Sequence, residues 1–144
     1  MVKKPTGPLA EARQRWLRGN LEEARAGYEK LLDDEKTRPA AAISLSRTWL
    51  SEGNHEKALA AIEGAIKKDE KNADLLASRA DILYQTGHWD DAIKDAEAAL
   101  KLVPENLLAR WVRAQHLRDA GDLTKADGEM RWLDGRQTTL HLIG

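Results

Sequence analysis

The chain has 144 residues, roughly the length of one ordinary domain. Its 23 lysines and arginines against 24 aspartates and glutamates give a net charge of -1, too little positive field to hold a phosphate backbone, which argues against general nucleic-acid binding. At 42% apolar and 33% charged residues the composition is that of a folded chain with no membrane span, and with no cysteine it has no disulfide, thiolate metal site or thiol nucleophile.

Residues 1–7 (MVKKPTG) carry two lysines, a proline and a glycine in place of an apolar leader core, so they read as a flexible N-terminus and cytoplasm is the expected compartment. The first helix is expected from Pro8, a favoured first-turn residue, to about Arg18. Further helices follow at about 21–34, 39–52, 55–69, 73–86, 89–102, 107–120 and 123–133, eight in all. Pro39 suits a first turn, and Asn72 and Asn106 are natural N-caps. Pairs four apart, Glu63–Lys67, Asp90–Lys94 and Glu97–Lys101, are expected to add a few tenths of a kcal/mol each on solvated faces.

One pattern organises these elements. The segments RGNLEEA, EGNHEKA, TGHWDDA and AGDLTKA each place a glycine five residues before an alanine. Gly19, Gly53, Gly87 and Gly121 follow one another at 34 residues, and Ala24, Ala58, Ala92 and Ala126 keep the same register. A glycine there ends one helix in a left-handed turn, and the alanines, with Ala12, Ser46, Ala80 and Ala114, are small enough to let paired helices approach. Trp49, Leu83 and Leu117, and Leu32, Ile66 and Leu100, are expected to fill the space between pairs.

From about Leu9 to Leu133 the sequence resembles the tetratricopeptide repeat family, most fully in the third repeat with Gly87, Trp89, Ala92, Ala99 and Pro104. The resemblance implies an all-α, right-handed solenoid of about four helix-turn-helix repeats over 8–133, divided at about 5–38, 39–72, 73–106 and 107–134, with a C-terminal tail at 135–144. Lys36 and Glu70 stand where the family often has proline. Arg79 and Arg113 replace a usual leucine, with their stems expected over apolar surface and their charges outside.

The family lines a concave groove with the first helix of each pair and holds peptides there, so the resemblance implies a non-enzymatic interaction module with a protein or peptide partner. Read in register, that groove holds Arg13, Trp16, Ile43, Arg47, Leu50, Asp81, Tyr84, Trp111, Gln115 and Arg118. Trp16, Tyr84 and Trp111 suit apolar anchors, and Arg13, Arg47 and Arg118 suit carboxylates. The competing reading packs Trp16 and Trp111 between repeats. A family branch that grips chaperone tails uses lysines and asparagines where this chain has Leu9, Arg13, Ser44, Asp74 and Ser78, so a chaperone tail is not the expected ligand.

A search for catalytic groups gives no alternative of equal weight. His55, His88, His116 and His141 lack metal-ligand spacing, and Asp33-Asp34-Glu35 and Asp90-Asp91 are neighbours that do not face one another on a helix. No catalytic residue, metal or cofactor is expected. The end of the chain carries a structural alternative. Met130, Trp132, Leu133, Leu140, Leu142 and Ile143 are apolar with no capping helix after them, so the tail folds back, a second copy covers them as a homodimer, or the chain is a piece of a longer protein.

Overall fold

The computed structural model describes residues 7–136, within which every regular element is helical. Two compact units divide the chain, residues 1–70 and 71–144. The first holds α1 (Pro8–Leu17), α2 (Leu21–Lys30), α3 (Arg38–Ser51) and α4 (His55–Lys68). The second holds α5 (Ala73–Gln85), α6 (Trp89–Leu102), α7 (Leu107–Asp119) and α8 (Leu123–Asp134). No described helix is long and apolar enough to cross a membrane.

Each helix pair turns at its glycine. Gly19, Gly53, Gly87 and Gly121 have φ between 75° and 84°, a conformation in which a Cβ is strained. The amide three positions beyond the helix end then reaches back to the last turn, as Asn20 N–H does to the Arg15 carbonyl at 2.8 Å and Asn54 N–H to that of Trp49 at 2.9 Å. Side-chain caps open α4 at Asn54, α5 at Asn72, α7 at Asn106 and α8 at Asp122, each accepting from the amide three residues on.

One helix departs from expectation. α2 ends at Lys30, not near 34, because side chains from ahead take the next two carbonyls, which a continued helix would use: Thr37 Oγ–H donates to Leu31 at 2.8 Å and Arg38 Nε–H to Leu32 at 2.7 Å. Pro39 then stands in the first turn of α3.

In the first unit α1 packs on α2, α2 on α3 and α3 on α4. The core forms around Ala12, Ala24, Tyr28, Ala41 and Leu45, with Leu9, Trp16, Leu32 and Trp49 half-buried against it. Helices α1 and α2 approach so closely that a Cβ on Gly27 would lie 3.0 Å from that of Ala12. Arg25, 8% exposed, bolts α2 to the end of α3, donating from Nε to Thr48 Oγ1 and from Nη2 to the Thr48 carbonyl, both at 3.1 Å. It also pairs with Glu52 at 2.9 Å while its guanidinium covers the Trp49 ring at 3.6 Å.

In the second unit α5 packs on α6 and α7, α6 on α7 and α7 on α8, burying Leu75, Ile82, Val112 and the register alanines Ala80, Ala92 and Ala114. Here the charges of Arg79 and Arg113 turn inward, contrary to the sequence expectation. Arg79 grips Asp95 with two bonds, Nε to Oδ2 at 2.6 Å and Nη2 to Oδ1 at 2.9 Å, and Arg113 pairs with Glu129, which Arg110 also reaches at 3.2 Å. Asp95 and Glu129 are 34 positions apart, as are the two arginines, so the same ion pair ties the helices of both repeats. The first unit has Leu45 and Ala61 at that register. Glu63–Lys67, Asp90–Lys94 and Glu97–Lys101 are not among the ion pairs of the described residues.

Candidate peptide-binding surfaces

On α1, Leu9, Arg13 and Leu17 recur every four residues and so share one face. Together with Ala10, Gln14, Ala40 and Ser44 they line a hollow of about 520 Å³ floored by Tyr28. Tyr28 is 1% exposed. Burial pushes its phenol above the usual value, and Ser44 and the positive fields of Arg13 and Arg47 pull it back. Both arginines therefore project their charge onto one phenol. Both are exposed, and neither has a carboxylate partner among the described residues. Of the other residues expected here, Trp16, Ile43 and Leu50 are half-buried, with Trp16 packed against the core.

In the second unit Tyr84 donates its hydroxyl proton to Asp119 and meets the His116 ring edge-on at 6.5 Å. Burial first, then the bond to Asp119 and its negative charge, push the Tyr84 phenol up to about 12 against the opposing field of Arg118. Trp111 is 38% exposed, Gln115 and Asp81 are half-buried, and Arg118 lies 3.9 Å from the Asp119 carboxylate. Its charge is thus partly answered within the chain, unlike those of Arg13 and Arg47.

Of the positions matched to the chaperone-tail clamp, Leu9, Arg13 and Ser44 all border the first unit's hollow. Asp74 accepts from Asn106 at 3.0 Å, and Ser78 is buried. Tyr28 was not anticipated. It lies one heptad after Leu21 on a second helix, and its place in that apolar stripe is the signal that marks it as core. On α8, Leu133 is buried, Met130 is half-buried, and the Trp132 ring is sandwiched between the guanidinium groups of Arg110 at 3.9 Å and Arg136 at 3.7 Å. Leu140, Leu142, Ile143 and His141 lie outside the described residues. Among the described residues no cluster of three histidines or carboxylates is placed to hold a metal ion.

Helix pairs at a constant spacing of 34 residues, turned by glycine and packed through small residues, define a helical repeat protein. The chain belongs to the tetratricopeptide repeat family, whose models match residues 15–82 and 50–94 in one case and 78–126 in another. It is 33% identical over 98 residues to the cellulose synthase operon protein C of Pseudomonas fluorescens (strain SBW25), a match covering 68% of this chain and 7% of that protein. The chain thus spans about 7% of the length of that curated relative.

Solved structures share the fold. MamA 41-end from Desulfovibrio magneticus RS-1 matches with a TM-score of 0.67 at 13% identity over 92% of this chain and 75% of its own. A tetratricopeptide repeat protein from Parabacteroides merdae ATCC 43184 matches with a TM-score of 0.67 at 19% identity over 85% of this chain and 49% of its own. The first TPR of Spaghetti (RPAP3), bound to the HSP90 peptide SRMEEVD, matches with a TM-score of 0.63 at 18% identity over 82% of this chain and 90% of its own.

Proposed function

We propose that this chain is a non-enzymatic interaction module that holds a peptide segment of a partner protein on the inner helices of its repeats. The observation that carries the reading is the pair Arg13 and Arg47, two exposed guanidinium groups with no carboxylate partner among the described residues, acting on the floor of an open hollow. Unanswered arginines beside apolar surface are the composition of a protein interface. The peptide-bound Spaghetti domain supports the reading by analogy of fold. In the second unit Tyr84, Trp111, Gln115 and Arg118 form a further contact surface, with Asp81 beside them.

Peptides selected against the immobilised chain from a random display library provide the test, their affinities read by fluorescence anisotropy. Arg47→Glu, which reverses an exposed charge, is expected to weaken the selected peptides at least tenfold where they use the first unit. Trp111→Ala is expected to do the same where they use the second. Peptides whose binding ignores both substitutions overturn these surfaces. A second reading, association of two copies, rests on α8, where Leu123, 66% exposed, and half-buried Met130 stand seven residues apart on one helix face.

A further inference from the structure

The hollow of the first unit has a pattern that specifies its ligand. Along α1, Arg13 is flanked four residues away on each side by Leu9 and Leu17, a repeat of about 6 Å along the helix axis. An extended polypeptide presents successive side chains of one face about 6.6–6.8 Å apart. The two spacings nearly coincide, so a strand laid along α1 sets residues two apart on apolar, cationic and apolar positions in turn. Arg47 adds a second positive charge beside the hollow, since on α3 it stands three residues after Ser44 and seven after Ala40, the two α3 residues of the lining, and so shares their helix face.

We infer that this hollow reads an internal acidic residue of a partner segment, an aspartate or glutamate with an aliphatic residue two positions before and two positions after it. Arg13 and Arg47 take the carboxylate, while Leu9 and Leu17 take the aliphatic side chains. The apolar contacts on both sides of Arg13 require chain on both sides of the acid, which selects a side-chain carboxylate over a free C-terminus. The inference rests on the interaction reading above and adds the chemical class of its ligand.

The test uses the full chain, 15N-labelled, and short end-blocked peptides with serine spacers. The parent peptide carries leucine, glutamate and leucine at alternate positions. A second replaces the glutamate by glutamine, a third replaces both leucines by serine, and a fourth lacks the glutamate but ends in leucine with a free carboxylate. The parent is expected to shift amide signals of α1 and of residues 40–44 and to bind about tenfold more tightly than each of the other three. Arg13→Gln is expected to erase the preference for glutamate over glutamine without altering the helical circular dichroism, because Arg13 is exposed. Equal binding of the glutamate and glutamine peptides, tighter binding of the free-carboxylate peptide, or no binding of the parent overturns the inference. If the parent fails while display-selected peptides still bind and respond to Arg47→Glu or Trp111→Ala, the interaction reading stands and the acid-centred pattern alone falls.

Discussion

Tyr84 shows how one inward-facing side chain couples to pH. Its phenol holds its proton up to about 12 because it is half-buried and bonded to a carboxylate, whereas an unfolded tyrosine releases it near 10. Between those values the folded chain binds more protons than the unfolded one. Stability from this group is therefore complete below about pH 10 and is lost as pH rises toward 12. Asp119→Asn removes the charge while keeping a hydrogen-bond acceptor, and burial, the larger cause, remains. An alkaline absorbance titration of the two tyrosines is expected to show one step moving part of the way back toward 10 in this variant, with the other, from Tyr28, unchanged. Two unmoved steps contradict the assignment of Asp119 as a cause.

At the scale of the helix pair, the buried polar contacts decide how each repeat is tied. Asp95→Ala removes the carboxylate that Arg79 grips with two bonds, and breaking such a pair costs more than the pair contributed. Because the Arg79 side chain keeps 26% of its exposure, the loss falls below the range for a fully buried pair, at about 2 kcal/mol. The double variant Arg79→Leu with Asp95→Ala copies Leu45 and Ala61, which the first unit has at the same register. Urea unfolding is expected to return it to within about 1 kcal/mol of the parent, since apolar replacement of both partners is often neutral. A double variant no better than the single one shows that the surroundings do not accept the apolar pair.

Across the whole chain, the balance between binding and assembly turns on how much of α8 is available. Leu133 is buried and Trp132 is clasped by two arginines, so Leu123 and Met130 are the described apolar residues of α8 left to meet a second copy. If that face pairs, sedimentation equilibrium gives a dimer that Leu123→Gln with Met130→Glu converts to a monomer. A parent that sediments as a monomer ends the assembly reading for this chain.

The fold was legible because glycine and alanine recur at positions where backbone geometry and close packing leave few substitutes, and Gly87 and Ala92 carry that signal without any knowledge of neighbours. The early stop of α2 was not legible, since it depends on Thr37 and Arg38 reaching back across a turn. Arg79 was misjudged for a related reason. An arginine at an apolar register position reads as a snorkelling side chain until its partner sixteen residues away is known. For the candidate surfaces, register gave Arg13 and Arg47, but Tyr28, which both address, lies on a second helix outside the groove columns.

The unequal tying of the two units has a thermal consequence. Contacts such as that of Leu45 and Ala61 draw on hydrophobic burial, which weakens on cooling. The penalty for desolvating the Arg79–Asp95 and Arg113–Glu129 pairs falls as temperature rises. On cooling, the Leu45 and Ala61 position therefore loses more than its ion-paired counterparts in the second unit, and on heating those counterparts gain relative to it.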